Sequence, residues 1–214
     1  MKKLIYVLSL VFAFSLVGQV AAQQTEKEHN KEIKSKATKN ARKESKKLKK
    51  EGYKVDPGQL PMDKQLDESW QKRLMKDEEG QPAYFIATST SVGETQAAAK
   101  MQAYELAKID LARQIGTEIA GLVETNLANK QLNAEEAVSV TESVASFKSI
   151  VVQKMGRVLN VFEAYRIIDK NTEVRVTTAY SYETAVEMAK REIRKELEDK
   201  AELNQEKVDE LLDF

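Results

Sequence analysis

Cysteine is absent from this chain of 214 residues, and histidine occurs once, at His29. Without cysteine there is no disulfide framework, no thiolate metal site, no thiol nucleophile and no cysteine that could accept a lipid after export. His29 lies in a basic segment, so neither a Ser-His triad nor a histidine metal cluster can form within the region expected to fold. The composition therefore argues against the common hydrolase and metalloenzyme classes.

Glycine and proline are also scarce, with eight and three residues. No glycine-rich phosphate loop, paired metal-ligand motif or nucleophile elbow is present. Carboxylates are abundant, but the pair Glu135 and Glu136 is typical of a helix start, where acidic side chains favour the positive end of the helix dipole. We therefore expect no catalytic residues, no metal ligands and no cofactor.

Long apolar runs are confined to the N-terminus. Met1-Lys2-Lys3 precedes an apolar run from Leu4 to Val17, and small residues up to Ala22 complete the pattern of a secretory signal peptide over residues 1–22. Cleavage is expected after Ala22. No later segment approaches the roughly 20 apolar residues of a transmembrane helix. The sequence thus predicts an exported protein.

The next segment, residues 23–51, is strongly basic. From Glu26 to Lys50 it holds eleven Lys or Arg against four Glu, a local charge of plus 7, and Ile33 and Leu48 are its only large apolar residues. This composition predicts a solvated helix or disordered arm that buries no core. Electrostatic contact with anionic lipid headgroups or cell-wall polymer is the alternative. Nucleic acid is not expected, because no aromatic residues are interleaved for base stacking.

Residues 52–82 are predicted to form a linker and a short amphipathic helix. Pro57 and Pro61 prevent the preceding helix from continuing. Apolar side chains then recur every four residues, at Met62, Leu66, Trp70 and Leu74. Trp70, the only tryptophan, is interpreted as an anchor that docks this helix onto the main domain, with ligand stacking as the alternative.

A long helix is predicted from Ser91 to Gly116. Ser91 and Glu94 match a capping box, and Gly116 provides a stop signal. The apolar stripe recurs at steps of three and four, at Ala97, Met101, Tyr104, Ala107, Leu111 and Ile115. The hydroxyl run 88–91 is interpreted as capping between strand and helix, with anion binding at the helix N-terminus as the alternative.

Four strands are predicted from alternation and β-branched content, at residues 83–90, 117–127, 158–168 and 173–181. Turn-forming residues from Asp169 to Thr172 join the last two in a hairpin. A second helix is expected to begin at Asn133, which Glu136 helps to cap, and a charged helix follows the hairpin. Residues 183–214 hold eleven acidic and six basic residues, so the C-terminal helix or tail 201–214 is expected to project from the core.

Together these elements predict a single α+β domain over residues 83–200. An antiparallel sheet of about four strands is covered on one face by two long helices, which begin near Ser91 and Asn133. Extra charged helices lie at the N- and C-terminal ends.

The order of these elements resembles the twenty-kilodalton bacterial lipoprotein family, which is related to outer-membrane-associated flagellar assembly proteins. The resemblance covers residues 83–200. Its most specific part is a helical signature formed by Ala107, Asp110, Leu111, Ala112, Arg113 and Ile115. The resemblance implies a helix-on-sheet domain in the periplasm or at the outer-membrane periphery, with a structural or adhesive role and no catalysis. The chain departs from the family in lacking the lipid-acceptor cysteine and in carrying a basic arm. The resemblance therefore does not lead us to expect a flagellar role for this chain.

Three functions from different classes follow. The first, which the long charged helices favour, is a non-enzymatic cell-envelope protein that assembles with itself or with other envelope proteins. The second is a module that binds a cell-wall or lipid polyanion through residues 27–50. The third is an enzyme that uses carboxylates alone, such as a glycoside hydrolase, which needs two acids about 5 to 9 Å apart across a cleft.

Overall fold

The computed structural model of the chain describes residues 30–77, 80–128, 133–200 and 205–214. Its elements in chain order are α1 (30–50), α2 (Met62–Leu74), β1 (Tyr84–Gly93), α3 (Gln96–Ala128), α4 (Ala134–Lys154), β2 (Leu159–Ile168), β3 (Asn171–Ser181), α5 (Tyr182–Lys200) and α6 (Gln205–Leu211). The α+β class is confirmed. The predicted signal peptide, its cleavage site and His29 lie outside the described residues. Of the helices described, none combines the length and apolarity needed to cross a membrane.

The sheet has three antiparallel strands within the described ranges, in the order β1-β3-β2. The predicted hairpin is confirmed as β2 and β3, and Asp169 turns the chain with a φ of 53°, a left-handed conformation that Asp tolerates better than most residues. The predicted cap of the second helix is also confirmed. The Asn133 side chain accepts from the backbone N–H of Glu136, and the Glu136 side chain accepts from that of Asn133.

The predicted strand 117–127 is wrong, because these residues continue α3. Ile115, Ile119 and Val123 follow one another at steps of four and are buried, so helical spacing explains them as well as alternation does. Thr117 and Thr125 donate their hydroxyl protons to carbonyl oxygens four residues earlier, at 2.9 and 2.8 Å. Such back-bonding satisfies a β-branched polar residue inside a helix. Gly116 therefore lies within the helix and does not end it.

The predicted start of this helix is also wrong. Ser91 belongs to β1, and its hydroxyl donates to the side chain of Gln102 rather than capping a helix. The helix begins at Gln96, after Thr95, whose hydroxyl accepts from the backbone N–H of Ala98 at 3.2 Å. The turn between β1 and α3 is tight. A Cβ on Gly93 would lie 2.9 Å from the backbone nitrogen of Ala99, so this position requires glycine.

The predicted apolar stripe of α3 is only partly correct. Ala107, Leu111 and Ile115 are buried, but Met101 is 68% exposed. The buried stripe instead follows steps of four, through Ala99, Ala103, Ala107, Leu111, Ile115, Ile119 and Val123. Small side chains come first, where α3 lies against β1 and β3, because alanine allows a helix axis close to a sheet. Larger side chains follow where α4 joins the packing.

Helices cover both faces of the sheet, which corrects the prediction of a single covered face. On one face α3 packs on Val174, Val176 and Tyr180 of β3, and α4 packs against α3 and α5 rather than on the strands. On the other face α1 and α2 enclose a second core with Phe162 and Ala164 of β2. Both faces of the hairpin carry apolar or hydroxyl side chains, so both require a cover.

Helix α1 is docked, contrary to the prediction that the basic segment buries no core. Its buried edge is formed by Ile33, Ala37, Ala41, Ser45 and Leu48. This edge packs against α2, where Met62 and Leu66 are buried as predicted. Alanine and serine give little hydrophobic signal in a sequence, yet their small size lets two helices approach closely. Of the two alternatives for this segment, a helix or a disordered arm, the structure shows a helix over residues 30–50.

The C-terminal residues 205–214 also pack on the core rather than projecting from it. Val208, Leu211 and Leu212 are buried. The side-chain amide of Asn126, near the end of α3, donates to the carbonyl oxygens of Leu211 at 3.2 Å and Asp213 at 3.0 Å. The acidic residues of this segment therefore lie on the surface of a docked helix.

Candidate functional site

A row of cations occupies the exposed side of α1. We define the basic face as Lys34, Lys39, Arg42, Lys43 and Lys46, all of which are exposed. Helical spacing places Lys39, Arg42, Lys43 and Lys46 on the side of the helix that does not pack on the core, and Lys34 lies nearer the buried edge, in the first turns of the helix. The sequence predicted the positive charge of this segment. The structure adds that most of these charges are held on one side of an ordered helix.

Few of the charges on α1 are neutralised. Lys36 pairs with Glu32 at 2.7 Å and Lys47 with Glu51 at 3.9 Å, and both pairs are largely exposed, so each contributes little energy. Within the part of the chain that the structure describes, no carboxylate forms an ion pair with a residue of the basic face. The face therefore presents a concentrated positive potential to solvent.

Hydrogen bonds fix the rotation of α1 about its own axis. The Thr38 hydroxyl donates to Asp67 of α2 at 2.8 Å. The indole N–H of Trp70, also on α2, donates to Oε2 of Glu44 at 2.8 Å. Trp70 packs against the core below α1, which supports its interpretation as an anchor. These contacts hold the basic face in a constant orientation relative to the sheet.

Arg175 of β3 lies on the side of the sheet that α1 covers. Its Nη2 is 3.5 Å from Oε1 of Glu44, which is too long for a strong charge-assisted hydrogen bond. Its Nε is buried and has no hydrogen-bond partner. Arg175 lies on the face of β3 opposite Val174 and Val176, and no pattern in the sequence indicates that its guanidinium is left with unused donors.

Three charged or polar side chains join the end of α1 to the hairpin. The Tyr53 hydroxyl donates to Glu173, whose Oε1 also accepts from Nε of Arg166 at 2.6 Å. Burial, together with the hydrogen bond to Glu173, raises the pKa of Tyr53 to about 12. Burial tends to raise the pKa of Glu173, but the hydrogen bonds from Arg166 and Tyr53 outweigh it and lower that pKa. This cluster is satisfied internally, so its role is structural.

Glu163, the one carboxylate of β2, is buried at 6% exposure. Its Oε2 accepts from Asn160 at 3.0 Å, and Nζ of Lys100 lies 2.9 Å from Oε1 without the alignment of a hydrogen bond. Its backbone N–H donates to the side chain of Gln65 at 2.9 Å. A charge and a side-chain amide on an edge strand discourage pairing with a foreign strand, which accounts for this arrangement.

The structure decides between the alternative interpretations of the hydroxyl run 88–91 and of the acidic pair Glu135 and Glu136. Residues 88–91 lie in β1, where Thr88 shares a hydrogen bond of 2.9 Å with Thr177, so anion binding by this run at a helix N-terminus is wrong. Glu135 and Glu136 lie in the first turn of α4, as the helix-start interpretation predicted. Within the described ranges, no group of three His, Asp or Glu side chains is arranged to hold a metal ion.

No protein-family model, curated protein or solved structure matches the chain. The resemblance of residues 83–200 to the twenty-kilodalton lipoprotein family therefore stays a prediction. Its helical signature lies within α3, where Leu111 and Ile115 are buried. Asp110 and Arg113 form a local ion pair of 2.8 Å on the surface.

Proposed function

We propose that the chain is a non-enzymatic, peripheral protein of the cell envelope that binds an anionic membrane surface through the basic face of α1. The observation that carries the proposal is a set of five exposed cations on a helix whose buried edge is docked, four of them on the side that faces away from the core. The same chemistry suits a cell-wall polyanion. A membrane is favoured because a helix that is docked along its buried edge presents its exposed cations to a flat surface along its length.

The geometry supports a useful binding energy. A helix over residues 30–50 is about 30 Å long at about 1.5 Å per residue. Each Lys or Arg held near an anionic leaflet contributes about 1 kcal/mol. Because α1 is already ordered by its contacts with α2, little conformational entropy is lost when it binds.

The envelope location rests on the sequence of residues 1–22, which has the three regions of a signal peptide, and on the resemblance to envelope lipoproteins. N-terminal sequencing of the mature protein tests it. A first residue at or near Gln23 is expected. Recovery of protein that still begins with Met1 from the envelope fraction would mean that the apolar run is retained as an anchor.

Sedimentation with vesicles tests membrane binding. The full chain without its signal peptide is mixed with vesicles of phosphatidylcholine, with or without phosphatidylglycerol. We expect pelleting only with phosphatidylglycerol, and weaker pelleting as salt rises from about 0.01 M to about 0.15 M and the Debye length falls from about 30 Å to about 8 Å. A variant with Lys34→Glu, Lys39→Glu and Lys46→Glu should stay in the supernatant.

A matched variant distinguishes the effect of where the charges lie from the effect of the net charge. Arg157, Lys170 and Lys195 are exposed and lie outside α1, so reversing these three charges changes the net charge equally. The matched variant should pellet nearly as well as the unmodified chain. Equal pelleting of both variants would contradict the proposal. Pelleting with purified cell wall but not with vesicles would assign the basic face to a polymer instead of a membrane.

A second function, assembly with itself or with other envelope proteins, is proposed from the exposed side of α3. Met101, Leu106 and Ile109 are 68%, 44% and 52% exposed there, and Ile109 borders a groove between α3 and α4. Leu106 and Ile109 are three residues apart and therefore neighbours on the helix surface, and exposed apolar patches commonly mark interaction surfaces. Sedimentation velocity is expected to show a concentration-dependent oligomer that Ile109→Lys disrupts. A single monomeric species at all concentrations would contradict this function for self-assembly.

A further inference from the structure

A groove of about 400 Å³ lies between α1, α2 and β3. Its volume is within the usual range for small-molecule sites, about 300 to 1,000 Å³. Leu48 and Trp70 provide apolar walls, and Asn40, Lys43, Lys47 and Arg175 provide hydrogen-bond donors. Glu44 is the only carboxylate among the described residues that line it. Three cations and one carboxylate give the lining a formal charge of plus 2.

The guanidinium of Arg175 distinguishes this groove from an ordinary surface cleft. It carries five N–H donors in a planar fork, yet no side-chain hydrogen bond from Arg175 is formed within the described part of the chain. Glu44 does not satisfy it, because Oε2 of Glu44 accepts from Trp70 and Oε1 stays 3.5 Å from Nη2. A half-buried cation with unused donors is suited to an incoming oxyanion.

The groove opens beside the basic face, and Lys43 belongs to both. An anion drawn towards α1 by the exposed lysines therefore arrives at the entrance to the groove. Lys47 lies on the same side, 76% exposed, with Glu51 3.9 Å away. Its ammonium is free to turn from that long contact towards a ligand, since an exposed pair of this length is weak.

We propose that this groove is a subsite for one phosphate group of an anionic phospholipid headgroup, with Arg175 as its principal ligand and Lys43 and Lys47 at its rim. The inference rests on the proposed membrane binding and names the chemical group that the same surface selects. The groove adds a component of binding that differs from the basic face in its response to salt. The side chain of Arg175 is only 32% exposed, so mobile ions screen it less than they screen the lysines.

Trp70 provides the readout, since it lines the groove and is the only tryptophan. The full mature chain is titrated with short-chain phosphatidylglycerol below its micelle concentration while tryptophan fluorescence is recorded. A saturable change is expected with phosphatidylglycerol and none with short-chain phosphatidylcholine. Arg175→Met should raise the dissociation constant by at least about tenfold, because the planar guanidinium that matches a phosphate is lost. Arg175→Lys keeps the charge but not the planar guanidinium, so its dissociation constant should lie between those of the unmodified chain and Arg175→Met.

Two further measurements keep the inference falsifiable if Arg175→Met disturbs folding. Lys47→Glu alters an exposed position and should also weaken the titration, whereas Arg157→Glu should not. Inorganic phosphate, titrated alone, should bind more weakly than the lipid. Equal affinity for both would assign the groove to a free anion and overturn the headgroup assignment.

The outcomes for the groove and for the basic face are separable. With the groove intact and the basic face reversed, vesicle pelleting should be lost, and the loss is largest at low salt, where the unmodified chain pellets most. With Arg175→Met, pelleting should persist at low salt and fall at physiological salt. If Arg175→Met and Lys47→Glu change neither the titration nor the pelleting, the groove proposal fails while the basic face stands. If reversal of the basic face changes nothing, the proposed function itself fails.

Discussion

Tyr53 links the end of α1 to the hairpin through one hydroxyl group. Its pKa is raised to about 12 by burial and by the hydrogen bond to Glu173, whereas an unfolded tyrosine titrates near about 10. Because the folded-state pKa is the higher one, the stabilisation is complete below about pH 10 and is lost as the pH rises towards about 12. We expect the free energy of unfolding of Tyr53→Phe to fall less than that of the unmodified chain between about pH 8 and about pH 11. Parallel pH profiles, measured by urea unfolding, would contradict this.

Leu111 and Met101 are both apolar residues of α3, but they differ completely in burial. Leu111 is 0% exposed and Met101 is 68% exposed. Leu111→Ala is expected to lower the free energy of unfolding by about 2 to 5 kcal/mol, because it removes buried methyl groups and leaves a cavity. Met101→Ala should change it by less than about 0.5 kcal/mol. Urea unfolding of the two variants measures the contrast, and equal losses would mean that the orientation of α3 is different.

At the scale of elements, substitutions in α1 test whether this highly charged helix belongs to the folded unit. Leu48 is 1% exposed in the core below α1, so Leu48→Ala should cost about 2 to 5 kcal/mol. The neighbouring Lys49→Ala, at an exposed position, serves as the control and should cost less than about 0.5 kcal/mol. Thermal and urea unfolding provide the measurement. If the two variants unfold alike, α1 is a solvated arm, as its composition alone predicted.

The continuation of α3 through residues 117–127 makes a second prediction at this scale. A Cβ on Gly121 would have no atom within 4 Å, and the residue lies inside a helix. Gly121→Ala should therefore stabilise the protein by about 0.5 to 1 kcal/mol, because alanine loses less backbone entropy in a helix. Gly116→Ala should increase the free energy of unfolding by less, since its Cβ would lie 3.2 Å from Cγ of Lys148. A loss of stability in Gly121→Ala would indicate that this segment is not helical.

Elements with local signals could be predicted, and those that depend on tertiary contacts could not. The Asn133 cap and the turn at Asp169 act within a few residues, so α4 and the hairpin were correctly expected. Residues 117–127 fit a period of two and a period of four equally well, and only burial against α4 decides between them. The edge of α1 consists largely of alanine and serine, which resemble solvated residues until a partner helix is known to pack on them.

At the scale of the whole molecule, the candidate site also has one part that the sequence predicts and one part that depends on tertiary contacts. A positive segment over residues 23–51 was evident from composition. The groove was not, because Glu44, Trp70 and Arg175 lie in three elements that are far apart in the chain. The sequence does not distinguish Arg175 from any exposed strand residue, and Glu44 is one of four acidic residues between Glu26 and Lys50. Only the docking of α1 and α2 over the hairpin brings them together.

The coverage of both sheet faces has an electrical consequence. The sequence carries no formal net charge, but the cations of α1 lie on one side of the sheet, and the acidic residues of 205–214 lie in the layer on the other side. Separation of opposite charges across the thickness of a domain creates a permanent dipole moment. Near a negatively charged plane, such a dipole experiences a torque before any contact forms. On the proposed membrane surface, this torque would turn α1 towards the plane and the carboxylates of 205–214 away from it before contact.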